Sequence, residues 1–155
     1  MSGPVLQVRG LGWRAPAGPV ILRDVSLDVE PGEFVAVMGR NGAGKSTLLD
    51  VIAGLRAPSA GRVTIAGRPL DEWTLGDRAR ALAHLPQMLR ADLSVRAEGL
   101  VLMGRYPHAS GWFESEDDRR IAHEAMGRCG CFEFRQRSLS TLSGGERQRV
   151  YLAAC

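Results

Sequence analysis

The chain has 155 residues, of which 45% are hydrophobic and 24% are charged, a composition typical of a globular domain large enough to bury a core. No apolar run approaches the roughly 18 residues of a membrane-spanning helix, and residues 1–10 lack the basic and apolar segments of a secretion signal, so we expect a cytosolic chain. The net charge of +3 is mild and the basic residues are scattered without interleaved aromatic residues, which argues against a nucleic-acid partner.

The first third of the chain is predicted to form strands. Residues 6–8 are short and apolar, and residues 25–29 alternate apolar and polar side chains, as a half-buried strand does. Residues 34–38 form a continuous apolar run, which is typical of a strand covered on both faces in a parallel sheet. A glycine-rich loop follows, and residues 45–53 have a helical composition that ends at Gly54.

The middle of the chain changes from strands to helices. Residues 61–65 alternate as a strand, and residues 78–85 are expected to form a helix that runs into a short strand at residues 83–85. Between residues 92 and 137 we predict a helical subdomain that is inserted into the α/β core. Its two helices cover residues 98–103 and 116–128 and are separated by residues 107–111.

The last segment is predicted to be a loop at residues 138–145 and a helix at residues 146–154. Three cysteines, Cys129, Cys131 and Cys155, lack the spacing of a redox or zinc pair. They are therefore expected to be ordinary thiols in a reducing compartment.

A phosphate-binding motif follows the predicted strand at residues 34–38. The pattern G-x-x-x-x-G-K-[ST] is matched by Gly39, Arg40, Asn41, Gly42, Ala43, Gly44, Lys45 and Ser46. Glycines allow positive φ angles and a close approach of backbone N–H groups to phosphate oxygens, and the helix that begins near Lys45 directs its positive end at the anion. Lys45 is the single lysine of the chain, beside 19 arginines. We expect Lys45 to contact the β- and γ-phosphates, Ser46 to ligate Mg²⁺ and Thr47 to contact the α-phosphate.

A second anion-binding pattern lies about a hundred residues later. Ser143 is placed as the N-cap of the last helix, and Gly144 and Gly145 expose N–H groups at the start of that helix. A chain that binds one nucleotide has little use for a separate phosphate site, whereas two copies packed head-to-tail would use both. The alternative for this segment alone is a well-capped helix and nothing more.

Residues 142–146, Leu-Ser-Gly-Gly-Glu, together with the phosphate motif, resemble the ATP-binding subunit of ABC transporters. The resemblance covers essentially the whole chain. It implies an α/β fold: a P-loop NTPase core with an N-terminal antiparallel β subdomain and an inserted α-helical subdomain, incomplete at the C-terminus. It also assigns Gln87 as a residue that senses Mg²⁺ and the γ-phosphate, and Trp13 as an aromatic residue that stacks on adenine. Trp13 could equally be a core residue.

A further resemblance concerns the cargo. Residues 101–108, Val-Leu-Met-Gly-Arg-Tyr-Pro-His, are similar to a segment of importers of iron-siderophore complexes, haem and cobalamin, although the segment could be only a helix end. This resemblance implies an ATPase at the cytoplasmic face of the membrane that works with a second ATP-binding subunit, permease subunits and, indirectly, a substrate-binding protein. The competing hypotheses are a soluble ABC ATPase without membrane partners and a nucleotide-binding fragment that does not hydrolyse ATP.

In the family, the signature is followed by an aspartate that secures Mg²⁺, a glutamate that activates water and a switch histidine, and none of them is found here. His84, His108 and His123 all precede the signature. We therefore expect a fragment of a longer gene product, which binds ATP better than it turns it over and is marginally stable alone. Its expected divisions are residues 1–91 (β subdomain and P-loop core), 92–137 (helical subdomain) and 138–155 (signature loop and helix).

Overall fold

The computed structural model of the protein describes residues 3–87, 94–109 and 114–155. The chain divides into two compact units, Met1–Leu75 and Gly76–Cys155. The boundary expected between residues 91 and 92 lies outside the described residues, and the three-part division of the chain stays a prediction.

The first unit contains a four-stranded antiparallel sheet. Its strands are β1 (Leu6–Arg14), β2 (Val20–Val29), β3 (Ala60–Ile65) and β4 (Arg68–Pro69), in the order β2-β1-β3-β4. The antiparallel β subdomain implied by the family resemblance is therefore confirmed. β1 and β2 are longer than the apolar patterns predicted, because the pairing continues from Leu11 with Val25 to Trp13 with Leu22 and Arg14 with Val20.

The buried face of this sheet is built from alternate residues. Val8, Leu11 and Trp13 of β1 and Val63 and Ile65 of β3 are buried. The spacing from Val8 to Leu11 is three residues rather than two, because the register with β2 shifts between these positions. Such an irregularity moves the buried side of the strand by one residue and increases its local twist.

Residues 34–38 do not form the predicted parallel strand. No backbone pairing with a described strand is found for them, and Phe34 and Met38 are 93% and 88% exposed. A parallel strand exists only beside a neighbouring strand that accepts its hydrogen bonds, and the described sheet offers none. The strand predicted from the apolar run is therefore wrong for this structure, because the run has no pairing partner among the described residues.

The second unit is helical. Its helices are α2 (Leu75–Ala81, which starts at the last residue of the first unit), α3 (Ala97–Met103), α4 (Glu116–Arg128) and α5 (Gly144–Ala154). The two predicted helices of the helical subdomain and the final helix are confirmed. The short strand predicted at residues 83–85 is wrong, because these residues pair with no strand among those described. The segment predicted to separate the two helices, residues 107–111, ends at Gly111, which lies outside the described residues.

The core of the second unit joins α3, α4 and α5. It consists of small and medium-sized apolar side chains from the three helices and the segments between them: Ala97, Leu100, Val101, Leu102, Ala122, Met126, Cys131, Phe134, Leu139, Leu142, Val150 and Ala153. Within the described ranges, every helix is too short or too polar to cross a bilayer.

The N-terminus of α4 is fixed by a capping box. The Ser115 hydroxyl accepts the Asp118 N–H at 3.1 Å, and the Asp118 carboxylate accepts the Ser115 N–H at 3.2 Å. Arg105, just beyond α3, also donates to Asp118 at 3.1 Å, and Asp118 is only 8% exposed. The Ser115 hydroxyl also donates to the Asp118 carboxylate at 2.6 Å, and this hydrogen bond, followed by those from Arg105 and the Ser115 N–H, lowers the pKa of the Asp118 carboxyl. The end of α3 and the start of α4 are thereby tied together.

Candidate functional site

The phosphate motif forms an exposed loop in the first unit, between the residue 34–38 segment and α1 (Lys45–Ile52). Gly39, Gly42 and Gly44 have φ angles of 153°, 82° and 90°, in the region that residues other than glycine rarely adopt. Gly44 is the N-cap of α1 and has no side chain to satisfy the first N–H groups of the helix. The motif glycines therefore occupy the conformations that the sequence analysis predicted for them.

The N–H groups at the start of α1 are available to an anion. Within the described ranges, no acceptor is found for the N–H groups of Lys45, Ser46 and Thr47, and the first turn of α1 contains no acidic residue. The first N–H inside the helix that is bonded is that of Leu48, which donates to the Gly44 carbonyl at 2.8 Å. Several unbonded donors at one helix N-terminus constitute an anion-binding geometry.

Lys45 extends back across the same loop. Its ammonium donates to the Gly39 carbonyl at 2.8 Å and to the Arg40 carbonyl at 2.9 Å. A lysine ammonium has three N–H donors, so one remains for a further acceptor. Lys45 thus brings a positive charge to the loop whose N–H groups are unbonded, and the structure brings together Gly39 to Thr47 as one site.

The loop is held against the sheet by Gly44. A β-carbon at this position would lie 3.0 Å from Leu22 Cδ2, 3.1 Å from Ile21 Cγ2 and 3.3 Å from the Ile21 carbonyl oxygen. Leu48 and Val51 of α1, four and seven residues after Gly44 and therefore on the same face of the helix, are also buried. The absence of a side chain at Gly44 therefore permits the close contact between the start of α1 and β2.

Trp13 lies in the same unit as the phosphate loop, on β1. Its side chain is mostly buried, and the Arg56 guanidinium lies 4.9 Å from the centroid of its ring. Arg56 is itself paired with Asp50 of α1 at 2.9 Å. The ring of Trp13 is thus packed and contacted by a cation, and its role in stacking on adenine stays a prediction.

The second predicted anion site lies at the N-terminus of α5, in the second unit. Ser143 is the N-cap, and with Glu146 it forms a capping box: the Ser143 N–H donates to Glu146 at 2.7 Å, and the Glu146 N–H donates to the Ser143 hydroxyl at 3.4 Å. No acceptor for the N–H groups of Gly144 and Gly145 is found in the described part of the chain. Two glycine donors and the Ser143 hydroxyl therefore remain exposed at this helix start.

Gln87 lies beside this helix start. Leu85, Pro86 and Gln87 line an open cavity of about 590 Å³ together with Gly144, Arg147 and Gln148 of α5. Arg147 donates to the Leu142 carbonyl at 2.8 Å, and its Nε is a buried atom with no partner among the described residues. The structure therefore brings Gln87 next to the second predicted anion site.

Arginines near the Ser143 turn were missed by the sequence analysis. Arg137 and Arg147 both donate to backbone carbonyls of this turn, at Thr141 and Leu142. The capping role of Glu146 could have been predicted from the sequence, because Ser-x-x-Glu is the spacing of a capping box. The arginine contacts had none, because nothing in the sequence shows which of 19 arginines lies near a given carbonyl.

The cysteines of the chain are free: Cys131 is buried, Cys129 is half-buried and Cys155 is exposed. Burial raises the pKa of the Cys131 thiol. His123 contacts Glu98 at 2.5 Å and the edge of the Phe132 ring. In the described ranges, no three His, Cys, Asp or Glu side chains are grouped as metal ligands would be.

Comparison with known proteins places this chain in a family. Residues 22–155 match the family described as ABC transporter. The chain is 47% identical over 149 residues to the hemin import ATP-binding protein HmuV of Gloeobacter violaceus, covering 96% of this chain and 54% of that protein. It is 41% identical over 148 residues to the cobalamin import ATP-binding protein BtuD of Halobacterium salinarum, covering 96% of this chain and 37% of that protein.

A solved structure agrees with this result. An ATP-binding subunit of an ABC transporter matches with a TM-score of 0.78 and 27% identity, over 97% of this chain and 60% of that one. The chain thus spans about half the length of the curated relatives it matches.

Proposed function

The chain belongs to the ABC transporter family, and from that premise we propose that it forms part of the ATP-binding subunit of a membrane importer, in which ATP binding and hydrolysis drive uptake. The cargo we propose is a metal chelate: haem, cobalamin or an iron-siderophore complex. Relatives named for hemin and cobalamin import support this class of cargo. The resemblance of residues 101–108 to importers of such compounds supports the same class of cargo.

The phosphate loop is the observation that carries the ATPase proposal. Three consecutive N–H groups, those of Lys45, Ser46 and Thr47, have no acceptor in the described part of the chain, and a lysine ammonium lies across the same loop. A triphosphate supplies several anionic oxygens at the spacing that such a loop serves. In this proposal Lys45 contacts the β- and γ-phosphates, and Thr47 contacts the α-phosphate.

Mg²⁺ is proposed as the accompanying ion, with Ser46 and Gln87 as its protein contacts. The donor chemistry fits, since both residues offer neutral oxygens on exposed side chains and Mg²⁺ is held in such sites by few protein oxygens plus phosphate. When bound, the ion neutralises charge on the β- and γ-phosphate oxygens. The protein residues orient the triphosphate: Lys45 by its charge, and the loop N–H groups by their fixed directions.

A second copy of the chain is the proposed partner at the γ-phosphate. The exposed Ser143 hydroxyl and the N–H groups of Gly144 and Gly145 would contact the γ-phosphate held by the phosphate loop of a neighbouring copy, in a head-to-tail dimer. The proposed further partners are permease subunits and, through them, a substrate-binding protein. The dimer would work as a peripheral assembly at the cytoplasmic face of the membrane.

The test of the nucleotide site is Mg-ATP affinity in Lys45→Ala, measured by calorimetry on the protein that carries this sequence. Loss of one or two charge-assisted hydrogen bonds should weaken binding by about 10- to 100-fold. Arg62→Ala is the matched control, because it removes one positive charge from an exposed position of β3 in the same unit. Affinity in Lys45→Ala equal to that of the parent would refute the proposal.

The importer role needs a separate experiment. The protein should co-purify with a polytopic membrane protein, and its phosphate release should rise when the reconstituted complex receives haem or cobalamin with a binding protein. A soluble ABC ATPase would show phosphate release without any membrane partner. If neither compound stimulates phosphate release, the proposed cargo class is refuted, whereas the proposed nucleotide site is not affected by that result.

A further inference from the structure

One arginine contacts both flanks of the turn that carries Ser143. The Arg137 guanidinium donates through Nη2 to the Thr141 carbonyl at 2.9 Å and through Nη1 to the Glu146 carboxylate at 3.3 Å. Thr141 precedes Ser143 by two residues, and Glu146 follows it by three. A single planar group therefore bridges the turn from one side to the other.

Glu146 transmits this contact to Ser143. One of its oxygens accepts the Ser143 N–H at 2.7 Å, while the other faces Arg137. Hydrogen bonds from Ser143 lower the pKa of the Glu146 carboxyl, and the charge of Arg137 lowers it further. The carboxylate is thus charged at neutral pH, and the chain Arg137–Glu146–Ser143 is a continuous set of charge-assisted contacts.

The backbone of Arg137 is anchored to the helical core. Its carbonyl accepts the N–H of Ala97, the first residue of α3, at 2.9 Å, and its own N–H donates to the Phe134 carbonyl at 2.8 Å. Its guanidinium lies 5.5 Å from the centroid of the buried Phe134 ring. The backbone of Arg137 is therefore fixed by α3 and the Phe134 carbonyl, and its guanidinium reaches from there past the Phe134 ring to the turn.

We propose that Arg137 is a positioning residue that orients Ser143, Gly144 and Gly145 toward the γ-phosphate held by a neighbouring copy. This inference rests on the proposed function, because it concerns the same second anion site. Within the turn, the Arg137 contacts found among the described residues are with the backbone before Ser143 and the carboxylate after it, and Ser143, Gly144 and Gly145 are exposed. The fork of a guanidinium reaches two acceptors at once, which a lysine ammonium on a flexible stem does not reproduce.

The experiment compares Arg137→Ala with Arg149→Ala. The Arg149 guanidinium lies 5.4 Å from the centroid of the same Phe134 ring but has no contact with the Ser143 turn among the described residues. Arg149→Ala therefore removes the same charge and the same ring contact as Arg137→Ala and leaves the turn contacts in place. Two quantities are measured on the full protein: Mg-ATP affinity, and the dissociation constant of the dimer formed with a non-hydrolysable ATP analogue. The unfolding midpoint of each variant is recorded alongside.

Arg137→Ala should weaken the nucleotide-dependent dimer by about 10- to 100-fold, the effect of misplacing contact groups by an ångström or less. Mg-ATP affinity should stay within about twofold of the parent, because the phosphate loop is unchanged. Arg137→Lys should restore only part of the dimer affinity, and Arg149→Ala should dimerise as the parent does. A general structural defect would weaken both Mg-ATP binding and the dimer. A weaker dimer with unchanged Mg-ATP affinity therefore supports a positioning role for Arg137.

Three outcomes would overturn the inference. If Arg149→Ala weakens the dimer as much as Arg137→Ala, the effect comes from packing on Phe134. If Arg137→Ala dimerises as the parent while Ser143→Ala does not, the positioning role fails and the proposed function survives. If Ser143→Ala also dimerises normally, the second anion site itself is wrong. Should Arg137→Ala not fold, Arg137→Lys decides, since it keeps the positive charge and loses the planar fork: a nucleotide-dependent dimer as tight as that of the parent would overturn the inference.

Discussion

Replacement of Gly44 by alanine tests how the phosphate loop is built. Gly44 has a φ angle of 90° and lies where a β-carbon would be 3.0 Å from Leu22 Cδ2 and 3.1 Å from Ile21 Cγ2. The substitution thus introduces two separate costs, one of backbone conformation and one of overlap with β2. Gly42 offers the matched control, because its φ angle is 82° and no atom lies within 4 Å of its β-carbon position.

The two costs have different magnitudes. A left-handed conformation costs a residue with a β-carbon about 1–2 kcal/mol, which applies to both variants. Overlap in a packed region costs about 1–3 kcal/mol, and the low end applies to Gly44→Ala because two of the three contacted atoms are methyl carbons that can shift by a few tenths of an ångström. We therefore expect Gly42→Ala to lose about 1–2 kcal/mol of unfolding free energy, and Gly44→Ala about 1 kcal/mol more.

The assay is urea unfolding followed by circular dichroism, with the slope checked so that the two midpoints can be compared. If both variants lose the same free energy, then α1 does not depend on close contact with β2 at Gly44. That result would refute the packing argument, although it would leave the conformational argument intact. A larger loss in Gly42→Ala than in Gly44→Ala would contradict both.

Two further predictions concern the helical unit. Ser115 and Arg105 lower the pKa of Asp118 from 3.8, so the stability that Asp118 contributes is present above that pH and is lost as the pH falls through the folded-state pKa. Asp118→Asn should therefore flatten the fall of the melting temperature on the acid side. An acid slope equal to that of the parent would contradict this role of Asp118. Met126 is fully buried and Met103 is 43% exposed, so Met126→Ala should cost about 2–5 kcal/mol and Met103→Ala less than about 1 kcal/mol in urea unfolding, whereas equal losses would contradict the assigned core.

The candidate sites of this protein could be predicted from sequence because each is a short, local pattern. The phosphate loop needs glycine at the left-handed positions 39, 42 and 44 and a lysine at the helix start, and all four requirements lie within seven residues. Ser143 and Glu146 cap a helix over three residues. Local conformation and capping are decided by neighbours in the chain, and a single sequence contains those neighbours.

The failures of the sequence analysis concern contacts between distant parts of the chain. The run from Phe34 to Met38 has the composition of a buried strand, but a strand also needs a partner, and composition does not say where that partner lies. The contacts of Arg137 with Thr141 and Glu146 depend on how residues 134–138 return past α3. Trp13 illustrates the same point, since its contact with Arg56 joins positions 43 residues apart.

The two helix starts of the proposed dimer site are capped differently, and this difference explains why they would act in sequence. α1 has no side-chain cap and no acidic residue in its first turn, so its unbonded donors are suited to an anion. α5 has its own carboxylate: Glu146 already accepts the Ser143 N–H, and its negative charge lies close to any anion bound at Gly144 and Gly145. An anion site with a built-in carboxylate is weak alone, because the carboxylate repels the ligand and competes for donors. In the proposed dimer, the phosphate loop of one copy would therefore bind the triphosphate first, and the α5 start of the other would add its contacts only to a γ-phosphate already held in place, which makes dimer formation depend on ATP.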